Sequence, residues 1–144
     1  MAASYRFLDD VAVADVAFRA EGDSLPELFS AATEAVIDSM ANPRTVGATW
    51  TRRIERRDAD PAALLFDWLS DIVFWKDADG VVFSGARLVL SQEEGAWRLD
   101  GTLIGAKVNP SAQELHDDVK GVTKHLYGLA QANGRWTVTV VLDV

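Results

Sequence analysis

Apolar positions recur along this chain with two different periods, and the change of period marks its elements. In residues 25–41 the stripe Leu28, Phe29, Ala32, Val36 and Met40 follows the 3.6-residue turn of a helix. It is preceded by Ser24-Leu25-Pro26-Glu27, which has the spacing of a capping box with proline in the first turn, and Asn42-Pro43 ends it. Asp60-Pro61 opens a second helix, with aspartate as N-cap and proline at the first helical position. Its apolar residues Leu64, Leu65, Trp68, Leu69, Ile72, Val73 and Trp75 make a stripe broad enough to imply burial against a sheet.

Elsewhere the pattern is that of strands. They are expected at residues 5–8, 11–20, 46–57, 81–90, 97–107, 119–129 and 136–144, with Asp9-Asp10 as a turn or bulge between the first two. Turns are expected at Asp77-Ala78-Asp79-Gly80, around Glu93-Glu94-Gly95 and at Asn133-Gly134. The order ββαβαββββ predicts an α+β fold, two helices packed on mostly antiparallel β-sheets. No linker, repeat or low-complexity stretch divides the 144 residues, so residues 1–144 are expected to form a single domain.

Composition narrows the function classes. Charged residues make up 25% and the net charge is −8, which argues against direct nucleic-acid binding and for a basic protein partner. There are no cysteines, which excludes disulfides, thiolate zinc sites and cysteine nucleophiles. No apolar run nears the roughly 20 residues that cross a bilayer, and Met1-Ala2-Ala3-Ser4-Tyr5-Arg6 does not open like an export signal. A cytoplasmic protein without membrane association is the expectation.

Candidate chemistry lies near the two ends. Asp15 interrupts an apolar stretch, so it is expected to face the core side or a cleft, and Asp143 stands beside the Val144 carboxylate on another strand. A carboxylate on a core strand is costly to desolvate unless it is paired or bound to a cation. If the two strands adjoin, Asp15, Asp143 and Val144 form an all-oxygen cluster for a hard divalent ion; otherwise they are solvated strand-end charges. Lys120 shares a strand face with Asp118, and His125 is expected to alternate with Thr123 on the same strand. His116 and His125 are too little by themselves to define a metal pair. No serine-nucleophile, zinc-helix or phosphate-loop motif is present. Five tryptophans are scattered over five elements without interleaved basic residues, as core residues are.

Four segments stand out in order: Tyr5-Arg6-Phe7-Leu8-Asp9 with Ala14-Asp15-Val16-Ala17-Phe18-Arg19-Ala20, the helical Leu64-Leu65-Phe66-Asp67-Trp68-Leu69, the run Glu114-Leu115-His116-Asp117-Asp118-Val119-Lys120-Gly121-Val122-Thr123-Lys124-His125, and the ending Val140-Val141-Leu142-Asp143-Val144. Together they resemble the archease family, small acidic proteins that activate RtcB-type RNA ligases. The chain departs from the family pattern where Asp10-Val11-Ala12-Val13 replaces a His-Thr pair and where Asp118 replaces a glutamate. The resemblance implies a divalent cation, most readily Ca2+ with Mg2+ or Mn2+ as alternatives, held by Asp15, Asp143 and Val144. It also implies ligase-activation roles for Lys120, Asp118 and His125. On this reading the protein is no enzyme but a cofactor of tRNA splicing and RNA repair, promoting guanylylation of the ligase and its multiple turnover. Two other classes stay open at this point, a small metal-dependent enzyme and a chaperone-like protein-binding domain.

Overall fold

Residues 3–9 and 15–144, which the computed structural model describes, follow the expected order of elements. They form β1 (Ser4–Phe7), β2 (Val16–Gly22), α1 (Leu25–Met40), β3 (Trp50–Asp58), α2 (Pro61–Asp79), β4 (Val81–Glu93), β5 (Ala96–Lys107), β6 (Gly121–Ala132) and β7 (Arg135–Asp143). The strands build two antiparallel sheets, ordered β1-β2-β7-β6 and β3-β5-β4. The expected α+β architecture is therefore the observed one. Among the described residues no helix is long and apolar enough to cross a membrane.

Each helix touches both sheets. α1 packs on β1, β2 and β7 of the first and on β4 of the second, while α2 packs on β6 and on β3, β4 and β5. Contact on two sides explains why α1 buries Ala31, Ala35 and Ile37 as well as the predicted stripe. Its start is capped as expected, with the Glu27 amide donating to Ser24 Oγ at 3.3 Å. The helices are tied at Trp68, fully buried, whose Nε1–H donates to Thr33 Oγ1 at 2.9 Å. The Trp68 ring lies over Gly101 of β5, where an added Cβ would come within 2.7 Å of it, so only glycine fits beneath this ring.

Several boundaries differ from expectation. The strand expected from residue 46 begins at Trp50, because Asn42 caps a 3₁₀ turn, Pro43–Thr45, that carries the buried Val46 in a connection. The turn expected at 77–80 is instead the last turn of α2, closed by Gly80 in the left-handed region with φ 61°. The strand expected from residue 119 starts at Gly121; Val119 is buried, but residues 117–120 stand outside the ladder. β6 is also interrupted. Thr123 pairs with Val141 and Gly128 with Thr139, so residues 124–127 oppose the single Val140. Lys124, His125 and Leu126 are all exposed on this bulge, and the expected alternation of His125 with Thr123 fails there. The strand expected over 11–20 is seen from Val16, and the Asp10-Val11-Ala12-Val13 segment lies outside the described residues.

Candidate functional site

Sheet order decides which termini meet. β7 lies between β2 and β6, so its last residues have a neighbour on either side. Val16 faces Leu142 at the end of the β2–β7 ladder, and Asp15 and Asp143 are the residues next in sequence to that last pair. On the other side Gly121 faces Asp143, and the Lys120 amide donates to the Asp143 carbonyl oxygen at 2.7 Å. The structure thus brings together the three segments that the sequence singled out: Asp15, the Asp143–Val144 end and Lys120.

Asp15 and Asp143 are exposed and Val144 is half-buried. This corrects the desolvation argument: both aspartates sit at open strand ends, where water solvates them and no counter-ion is compelled. Asp15 does face a cleft, of about 360 Å³, lined also by Asp9, Asp38, His116 and Asp117. Among the described residues no three His, Cys, Asp or Glu side chains converge as a metal cage. Asp15 and Asp143 offer oxygen donors alone, the kind that a hard cation takes.

Residues 109–120 form a strap over the end of α1. The Asn42 amide donates to the Glu114 carbonyl at 2.8 Å, while the amides of His116 and Asp117 donate to the carbonyls of Met40 and Ser39, each at 2.9 Å. A helix C-terminus leaves such carbonyls without intrahelical partners, and α1 has no basic residue in its last turn. The strap supplies both donors and charge. His116 Nδ1 lies 2.6 Å from the Asp38 carbonyl oxygen and Nε2 lies 2.8 Å from Glu114 Oε2. Two acceptors, a carbonyl oxygen and a carboxylate, favour the imidazolium, which donates from both ring nitrogens. The Asp38 carbonyl and then Glu114 hold the His116 pKa above its ordinary value, and the His116 hydrogen bond holds Glu114 below its own.

Farther along the strap, Asp118 accepts from Lys76 Nζ at 2.7 Å, and this bond holds its pKa down. The same-face contact expected between Asp118 and Lys120 is thus taken over by Lys76, with Lys120 contributing at longer range. His125 lies beyond the Thr123–Val141 pair, on the exposed bulge, and the strap carries His116 elsewhere. Lys124 packs the bulge back onto α2, with Nζ 3.7 Å from the centroid of the Phe66 ring. Sequence reasoning missed Lys76 and the capping role of His116. Lys76 had a signal: it falls three and four residues after Val73 and Ile72, on the buried stripe of α2. The cap by His116 had none, since Asp38 is 78 residues away in sequence.

Comparison with known proteins covers nearly all of the chain. The model of the Archease protein family matches residues 5–144. Protein archease of Methanothermobacter thermautotrophicus is 31% identical over 140 residues, spanning 97% of this chain and 98% of that protein. The Pyrococcus furiosus protein archease is 30% identical over 132 residues, 91% of this chain and 93% of the relative. A solution structure of a Methanobacterium thermoautotrophicum protein superposes with a TM-score of 0.82 at 31% identity, over 97% of this chain and 98% of that one. A Thermotoga maritima crystal structure, described as an archease and possible chaperone, shares the fold with a TM-score of 0.60 at 18% identity, over 92% and 93% of the two chains.

Proposed function

The chain belongs to the Archease protein family, and from that premise we propose that it is a non-catalytic activator of an RtcB-type RNA ligase. It acts in tRNA splicing and RNA repair in the cytoplasm, promoting guanylylation of the ligase and so its repeated turnover. The observation that supports this reading is the meeting of Asp15, Lys120 and the Asp143–Val144 end on the two flanks of β7. The family resemblance implies a function for each of them.

Asp15, Asp143 and the carboxylate at Val144 would hold a divalent cation, calcium before magnesium or manganese, which when bound would screen their repulsion and join the ends of β2 and β7. The rest is done by the chain itself. The strap holds Asp118 and Lys120 beside that end, so one small surface presents carboxylates and a lysine in fixed register. A net charge of −8 disfavours RNA and favours a basic protein surface, so the contact is with the ligase and not with its substrate. The words used for the Thermotoga relative, a possible chaperone, point to the same class of work, binding another protein.

The test is multiple-turnover RNA ligation by the cognate ligase, with GTP and metal, with and without this protein. A substoichiometric amount is expected to convert single-round ligation to many rounds, and Asp143→Ala to abolish the effect. Unchanged turnover with the wild-type protein would overturn the reading.

A further inference from the structure

Among the described residues, Lys76 is the buried charged side chain that the proposed function leaves unused. It sits on the buried face of α2 with its side chain 10% exposed, Nζ 2.7 Å from Asp118 Oδ1 and 2.8 Å from Asp77 Oδ1. Around it, Met40, Val82, Val108 and Leu115 line an apolar cleft beneath the strap. A lysine is rare in such a place and stays charged there only when its partners are close. Burial works against the charge, but the bonds to Asp118 and Asp77 outweigh it and keep the Lys76 pKa above its ordinary value.

The strap has two backbone anchors on either side of this pair. Upstream, the amides of His116 and Asp117 are fixed to the end of α1; downstream, the Lys120 amide is fixed to Asp143. Between them the chain crosses from one element to the other, held by the buried Val119 and by the Asp118–Lys76 pair. Asp118 is itself 79% exposed, so Lys76, set in the framework, defines the geometry of the pair. We infer that Lys76 is a positioning residue: through Asp118 it fixes residues 117–120, and with them where Lys120 stands at the end of β7. The inference rests on the proposed role of Lys120 for its functional meaning, and on geometry alone for its structural meaning.

Lys76→Met keeps the apolar stem of the side chain and removes the charge. The first measurement is amide hydrogen exchange in the full chain. In Lys76→Met the Lys120 amide is expected to exchange about tenfold faster, with core amides of β5 and α1 unchanged, because local opening precedes global unfolding. Asp118→Asn should reproduce this, and the double variant should add little, since the two residues act as one unit. Lys76→Arg should restore most of the protection. The second measurement is the ligation assay: Lys76→Met is expected to lower the maximal turnover reached at saturating protein. Unchanged exchange at Lys120, or equal acceleration at every amide, would overturn the inference whatever the ligase does. A wild-type protein that fails to activate the ligase would sink the proposed function and leave the exchange result to decide on Lys76.

Discussion

His116 stands 2.6 Å from the main-chain oxygen of Asp38, so a residue of the strap caps the helix that ends 76 residues earlier, at Met40. A cation at a helix C-terminus is stabilised by the helix dipole, and this one also joins Glu114. Its pKa is raised in the folded state, so its stabilisation is full below the unfolded-state value near 6.5 and is lost as pH rises through the folded value. We expect His116→Ala to cost about 1 kcal/mol at pH 6, an exposed to partly buried dipole interaction, and less at pH 9. Denaturant unfolding of both proteins at the two pH values checks this; equal losses at both would refute the charged cap.

The link between the helices is equally open to test. Thr33 Oγ1 accepts from Trp68 and donates to the Phe29 carbonyl at 2.6 Å, all within the core. Thr33→Val keeps the shape and leaves the Trp68 N–H without its acceptor. The expected loss is about 1–3 kcal/mol, the cost of a buried unsatisfied donor, read from thermal or urea unfolding.

Cation binding has a thermodynamic signature that needs no ligase. If Asp15, Asp143 and Val144 hold calcium, a hundredfold excess over the dissociation constant should stabilise the fold by about 2.7 kcal/mol. Asp143→Ala should abolish the rise in melting temperature, and Asp15→Asn should weaken it. A melting temperature indifferent to calcium, magnesium and manganese in the wild-type protein would remove the proposed cation.

Leu126 sits on the β6 bulge at φ 57°, 53% exposed, in a region where a side chain with a Cβ is strained. Glycine relieves that strain and loses little packing here. Leu126→Gly is therefore expected to be neutral or stabilising by up to about 1 kcal/mol, after the entropy cost of glycine is counted. A clear loss of stability would show that the exposed leucine packs on something that matters to the fold.

Much of the framework was legible in the residues. The two helices could be placed from Ser24 and Asp60 because caps and apolar stripes are local signals, satisfied within one or two turns. The ends of the strands were less so. Asp77 and Asp79 read as a turn, yet the helix runs through them to Gly80: Asp77 pairs with Lys76, and the half-buried Asp79 accepts from Trp50 Nε1 at 2.9 Å, a contact that no local pattern shows. His125 read as part of an even alternation, and the bulge that displaces it depends on the fit of β6 to β7, which no local pattern encodes. The apolar context of Asp15 and Asp143 suggested burial, but both lie at strand ends where the sheet stops and water begins.

The sequence by itself determined the elements, their order and the residues worth watching, because hydrophobic period, caps and turns act between near neighbours. It could name Asp15, Lys120 and Asp143 but not their adjacency. Tertiary structure alone decided that β7 lies between β2 and β6, so that the start of β2, the end of β7 and the strap meet at one place. It also chose Lys76 as the partner of Asp118 and His116 as the cap of α1. Those choices follow from burying two helices against two sheets, which settles the path of the strap, and burial is a property of the whole chain that no single segment carries.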